Sequence, residues 1–231
     1  MYNKTLKRRE LKYFINNADY LNLVNTISHF FLKDKNISEK GYYHIRSLYF
    51  DNKSNDSYYE KIDGIEKKKK FRIRIYDLRS NPIKLEIKSK VNNIVLKETM
   101  LISKQDMEDI ISGDYSCLLN SNNSIAKKIY YYFIKDYYKP VILIDYKREA
   151  YYFDLNKIRI TFDKEIKKNE INPISLFKKD INMSPVFNNF KIILEIKYTD
   201  SIPTWIKNLL QTPRFEKCAI SKYSLSRYME N

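Results

Sequence analysis

Lys68, Lys70, Arg72 and Arg74 alternate with Phe71, Ile73 and Ile75. Side chains two apart on a β-strand share a face, so this spacing gathers four cations on one surface and sets the apolar residues against a core. Residues 84–88 repeat the device, with Lys84, Glu86 and Lys88 opposing Leu85 and Ile87. The tetrapeptide LEIK then returns at 194–197 with Glu195 and Lys197. Glu10 and Lys12 near the start, and Lys97, Arg148, Arg159 and Lys222 further on, carry the pattern into other segments. The chemistry these residue types suit is phosphate recognition. Guanidinium groups at Arg72 and Arg74 can form paired hydrogen bonds to phosphate oxygens, while lysines act as point charges along an anionic chain. Turned outward, such faces would be the wet side of a sandwich. Turned into a low-dielectric lumen, the cations would repel one another at high cost unless phosphates lay between them. Outer faces ordinarily mix both signs, and the repetition of Arg and Lys with an isolated Glu favours the inward arrangement.

Carboxylates on those same faces need a separate reason, because a carboxylate repels a phosphate. Mg²⁺ or Mn²⁺ commonly binds through one or two carboxylates plus substrate phosphates, which suits Glu195, with Glu10 and Glu86 as supporting ligands. The other use for each Glu is an ion pair with its i+2 lysine, and for Glu86 the two readings stand level.

The elements that must position these residues are mostly strands. Alternation predicts strands at 5–14, 42–50, 68–76, 83–90, 93–101, 140–152, 157–163, 190–198 and near 216–222, separated by Asp, Asn, Gly, Ser and Pro turns. Helical spacing of Tyr20, Leu23, Val24, Ile27, Phe30 and Phe31 predicts an amphipathic helix over 17–32 behind an Asn17 cap. Ser103 and Asp106 open a short helix through Ile111, and 124–138 is a second, tyrosine-rich one. Pro203 sits at the first turn of a further helix. Residues 165–189 keep no period and read as a long excursion within one domain covering 1–231. His29 lies beside the first helical stripe and is read as structural. About eight strands, helices at the rim and just three glycines predict an α+β fold, a closed antiparallel β-barrel tunnel with peripheral helices.

Composition bounds the partner. With 43 Lys and Arg against 28 Asp and Glu, the 231-residue chain has a formal charge of +15. A compact body of that charge calls for a polyanion, and nucleic acid, anionic lipid and free polyphosphate all fit. Half of the excess can be assigned to a Lys-, Asn- and Ile-rich composition. The basic N-terminal stretch lacks a signal-peptide apolar core, no apolar run approaches the ~20 residues that span a bilayer, and Cys117 and Cys218 form no metal-binding or disulfide pattern. A reducing, cytoplasmic setting is the expectation. The three glycines, at 41, 64 and 113, form neither a dinucleotide fingerprint nor a P-loop, and neither a zinc-protease motif nor a serine elbow is present.

Taken in order, RRELKY at 8–13, SLYFD at 47–51, FRIRIY at 71–76, LEIK at 85–88, LKE at 96–98, YKREAY at 146–151, RITFD at 159–163, LEIKY at 194–198 and SKYS at 221–224 resemble the catalytic domain of the vacuolar transporter chaperone (VTC) family. That family lies within the CYTH or triphosphate tunnel metalloenzyme superfamily. The resemblance covers nearly the whole chain. It implies a tunnel that binds triphosphate and a polymerase that transfers the γ-phosphoryl group of ATP to growing polyphosphate with a divalent ion. By that resemblance Lys12, Arg72, Arg74, Lys88, Lys97, Arg148, Arg159, Ser221 and Lys222 contact phosphate, with Lys197 among the catalytic set, and Glu195 holds the metal. Superfamily hydrolases resemble E-x-E-x-K on the first strand. Here Arg8 stands in place of the first carboxylate, ahead of Glu10 and Lys12, which disfavours a hydrolase.

Two other classes stay in view. One is a tripolyphosphatase or nucleoside triphosphatase using the same residues. The other is a non-enzymatic polyanion-binding module in which Tyr130, Tyr131, Tyr132, Tyr137 and Tyr138 would stack on bases, although an aromatic stripe packed on the barrel accounts for them better. Nucleic acid is accordingly not the expected partner. Lys67–Lys70 could form a mouth that leans on acidic lipid, with a solvated turn as the simpler account. Family members are often coupled to membrane proteins, and any such partner would act in trans.

Overall fold

The computed structural model describes residues 9–79, 81–91, 94–170, 176–187, 191–199, 201–210, 215–217 and 220–227. In chain order the elements are β1 (Arg9–Ile15), α1 (Asn17–Ile27), β2 (Leu32–Lys33), β3 (Tyr43–Asp51), α2 (Asp56–Ile62), β4 (Lys68–Tyr76), β5 (Ile83–Val91) and β6 (Ile94–Ile102). There follow α3 (Lys104–Ser112), α4 (Ser116–Leu119), α5 (Ser124–Lys135), β7 (Lys139–Phe153), β8 (Ile158–Asn169) and β9 (Ser184–Pro185). The chain ends with β10 (Ile192–Tyr198), α6 (Thr204–Leu210), β11 (Glu216–Lys217) and α7 (Lys222–Ser226). The fold is α+β and antiparallel. Among the described residues eight strands have seven or more residues, and β2, β9 and β11 have two each.

The chain divides into two compact units. The first comprises residues 1–44, 146–166 and 185–220, and the second 45–145, 167–184 and 221–231. In the first unit the ladder runs β11–β1–β10–β8–β7, with β2 beside β7. Leu194 and Ile196 of β10, and Ile160 and Phe162 of β8, pack on Leu23 and Ile27 of α1 and Ile206 of α6. Alternation therefore sends Arg159, Thr161, Asp163, Glu195 and Lys197 to the opposite face.

In the second unit the ladder runs β7–β3–β4–β5–β6. Phe71, Ile73, Ile75, Leu85 and Ile87 are fully buried against Met107 and Ile110 of α3, Leu118 of α4, and Ile129 and Phe133 of α5. Each such side chain contributes roughly 1.5–3 kcal/mol through burial. The helices stay where they are because their ends are fixed. Ser103 and Asp106 form the expected reciprocal cap on α3, and Gly113 ends that helix at φ 98°, a left-handed conformation open to glycine. Tyr138 lies 4.7 Å from Phe71 and 5.8 Å from Phe133, ring to ring, which places it in the core.

Several expectations need correction. The barrel is not closed: among the described residues the first unit's ladder ends at β11 and the second's at β6. Alternation reports which face of a strand is buried, whereas closure depends on tilt and stagger, which alternation does not encode. The first helix stops at Ile27, its cap is Asn16, and Phe30 beyond it is exposed. The tyrosine-rich helix ends at Lys135 rather than 138. Residues 165–169, expected in the excursion, continue β8, and α2 and α4 are too short to show a period. In place of a last strand through 222, the two residues of β11 are followed by α7, with Ser221 as its cap and Lys222 in its first turn. Residues 5–8, including Arg8, and Cys218 lie outside the described residues.

Candidate functional site

The second unit holds Arg72, Arg74, Glu86, Lys88, Lys97, Ser221 and Lys222. Register decides which of them are neighbours. Across β4 and β5, Lys68 stands opposite Lys90, Lys70 opposite Lys88, Arg72 opposite Glu86 and Arg74 opposite Lys84. Across β5 and β6, Lys88 stands opposite Lys97. Like charges directly across a ladder are destabilising, and here four such pairs share one face. A single carboxylate, Glu86, lies among the charges of β4–β6 on that face. It is 1% exposed. Arg72 donates from Nε to Glu86 Oε2 at 2.5 Å, and Lys97 Nζ lies 2.5 Å from Oε1.

Burial by itself would raise the Glu86 carboxyl, but Arg72, Arg74 and Lys97 reverse that and hold it at about 2. Tyr49 reports the same field. Its desolvation pushes the phenol upward, yet Arg72, Arg74 and Lys222 together bring it below the ordinary tyrosine value. Tyr76 is likewise lowered, burial being outweighed chiefly by Arg74 and Lys84. Arg72 donates from Nη1 to the Tyr49 hydroxyl at 3.0 Å, and Arg74 from Nε to Ser47 Oγ at 3.0 Å. Lys70 donates to Ser221 Oγ at 3.0 Å, which ties α7 to the cationic face. An anion bound there would cancel part of the field. Alkaline difference titration of wild type against Tyr49→Phe should therefore show Tyr49 ionising below the ordinary tyrosine value, and moving up when tripolyphosphate is added.

The first unit holds Glu10, Lys12, Arg148, Arg159, Glu195 and Lys197. Here the signs are mixed. Glu10 stands opposite Lys197 and Lys12 opposite Glu195 across β1 and β10. Lys12 Nζ lies 3.6 Å from Glu10 and 3.5 Å from Glu195, while Lys197 Nζ lies 3.6 Å and 3.3 Å from the same two carboxylates. Glu195 is 5% exposed. Arg148 forks onto both Asp163 oxygens, at 2.6 and 2.7 Å, and lies 3.6 Å from Glu195. Arg159 donates to Asp34 at 2.6 Å and to the Tyr43 hydroxyl at 3.0 Å. All three of the expected phosphate contacts in this unit, Lys12, Arg148 and Arg159, thus already face carboxylates.

The donor chemistry bears on a metal. Among the described residues no group of three or more His, Cys, Asp or Glu could hold an ion. Glu10 and Glu195, which share two lysines, are a pair of hard oxygen donors. Such a pair fits a Mg²⁺- or Mn²⁺-type ion completed by phosphate oxygens. Glu86, the third expected ligand, has its oxygens engaged by Arg72 and Lys97.

Side chains that were given no role also line these clusters. Ser47, Tyr49 and Asp51 lie on alternate positions of β3, and Asp51 accepts from the Tyr223 hydroxyl. Their shared parity was the available signal. Arg46, buried with Asp145 at 2.7 Å, donates to the Leu176 and Lys178 carbonyls and anchors that segment. No helix among the described residues is long and apolar enough to cross a membrane.

Similarity to known proteins agrees with this architecture. A candidate adenylate cyclase from Bacillus halodurans shares 11% identity at a TM-score of 0.52, covering 89% of this chain and 88% of that one. A second candidate adenylate cyclase, from Vibrio parahaemolyticus, shares 14% identity at a TM-score of 0.49, covering 96% and 98%. At such identities the first likeness shows a fold only. No curated protein sequence matches the chain. A sequence model of the VTC domain matches residues 7–229, nearly the full length. The chain therefore belongs to the VTC domain family.

Proposed function

We propose that this protein is a metal-dependent polyphosphate polymerase that transfers the γ-phosphoryl group of ATP to a growing polyphosphate chain. The observation that carries the reading is the set of four like-charge cross-strand pairs on β4–β6, an arrangement that a phosphate chain would stabilise. In this reading Arg72, Arg74, Lys88, Lys97 and Lys222 hold phosphate oxygens, with Ser221 as a further contact. Glu86 fixes Arg72 and Lys97 in place. Lys12, Lys197, Arg148 and Arg159 supply cations around the Glu10–Glu195 pair.

A terminal polyphosphate oxygen is already ionised and needs no general base. It attacks the γ-phosphorus in line; the new P–O bond forms as the bond to the β–γ bridging oxygen breaks, and the electron pair leaves on ADP. Arg and Lys contribute by alignment and by offsetting charge on that leaving oxygen. A divalent ion held by Glu195 and Glu10 would add Lewis-acid polarisation of the phosphoryl oxygens.

The test is incubation with ATP and Mn²⁺, followed by separate assays for long polyphosphate and orthophosphate. Polymer is the expected product. Orthophosphate without polymer would assign the tripolyphosphatase or nucleoside triphosphatase reaction instead, and anion binding without turnover would leave a binding module. A cytoplasmic site of action, with any membrane association supplied by a partner protein, completes the proposal.

A further inference from the structure

β6 is the last strand of its ladder, and among the described residues no backbone hydrogen bond reaches its outer edge. The strand is nine residues long, has neither Pro nor Gly, and leaves Val95, Leu96 and Leu101 exposed at 45%, 39% and 66%. A long apolar edge is a template for another strand unless something blunts it. The strand sequence, IVLKETMLI, places three apolar residues on each side of Lys97-Glu98-Thr99. It reads alike in both directions about Glu98.

We propose that β6 is the pairing surface for a second copy of this chain, joined antiparallel through a two-fold axis at Glu98. Two identical antiparallel strands are related by an axis perpendicular to the sheet. Each residue must then face a partner of its own parity, so the axis has to pass through a residue. Centred on Glu98, Val95 faces Leu101, Leu96 faces Met100 and Lys97 faces Thr99. Centred on Lys97, that lysine would face its own copy on the face already loaded with Lys84 and Lys88. Centred on Thr99, Lys97 would face exposed Leu101. Only the first register matches apolar with apolar at both ends. It brings Glu98 against its own copy, but Glu98 is already paired with Lys128 Nζ at 2.5 Å. The contact is isologous and self-limiting, so it closes as a dimer and does not propagate. It also rests on β6 alone and is independent of the catalytic reading.

Sedimentation equilibrium of the full chain should show a dimer across the micromolar range. Leu101→Lys, at an exposed position, should shift it to monomer with an unchanged circular dichroism spectrum. A monomeric wild type, or a dimer that ignores Leu101→Lys, overturns the proposal. The register has its own test. In a chain carrying Ser at 117 and 218, Glu98→Cys should oxidise to a disulfide between copies, because residues facing each other across such a ladder have Cα atoms about 4.5–5.5 Å apart. Val91→Cys in the same background should not, and a dimer that crosslinks through Val91→Cys but not through Glu98→Cys refutes the axis at Glu98.

Discussion

Arg74→Ala should reduce polyphosphate synthesis from ATP by two to three orders of magnitude, the effect expected of losing one preorganised charge donor at a phosphoryl-transfer centre. Arg74 is 6% exposed, donates to Ser47 and stands opposite Lys84. It contributes to the fields that lower Glu86, Tyr49 and Tyr76. Its truncation relieves one of the four like-charge pairs, and that relief opposes the loss of its packing contacts. Circular dichroism and the unfolding midpoint should therefore stay near wild type while activity is lost. Arg74→Lys should recover only part of the rate, since a point charge lacks the paired donors of a guanidinium. Polymer synthesis unchanged in Arg74→Ala would remove this residue, and the face it belongs to, from the reaction.

The charged faces are legible in the amino-acid sequence because strand parity is a local property. Phe71, Ile73 and Ile75 are fully buried, and Lys70, Arg72 and Arg74 stand on the other side, as the alternation requires. What parity does not carry is register and distant partners. That Lys88 faces Lys97 depends on the register of β5 against β6, and that Asp163 takes Arg148 or Asp34 takes Arg159 depends on residues fifteen and more positions away. A cation read as a phosphate ligand from its strand alone can therefore prove to have a carboxylate beside it. Lys222 shows a related gap. Five residues are too few for a helical period, and the cap at Ser221 is recognisable only once Ser224 is seen to donate to it.

Glu86→Gln should be the most destabilising of the polar substitutions, and ligand should rescue it. Glu86 is the lone carboxylate among the charges of the β4–β6 face, so neutralising it removes the negative charge that lies against Arg72 and Lys97 beside the like-charge pairs. Removing one partner of a buried ion pair costs about 3–5 kcal/mol. The linkage argument gives a similar size. The folded carboxyl sits at about 2 against an ordinary 4.5, which corresponds to stability on the order of 3 kcal/mol. Its sign follows from the depressed value: the contribution is complete above the unfolded carboxyl's pKa and drains away as pH falls from about 4.5 towards 2. Wild type should lose stability through that window more steeply than Glu86→Gln does. Adding tripolyphosphate near neutral pH should raise the melting temperature of Glu86→Gln more than that of wild type, because the anion supplies the charge the substitution removed. Equal shifts in the two proteins would mean that phosphate does not bind beside Glu86, and the cationic face of β4–β6 would then need another ligand.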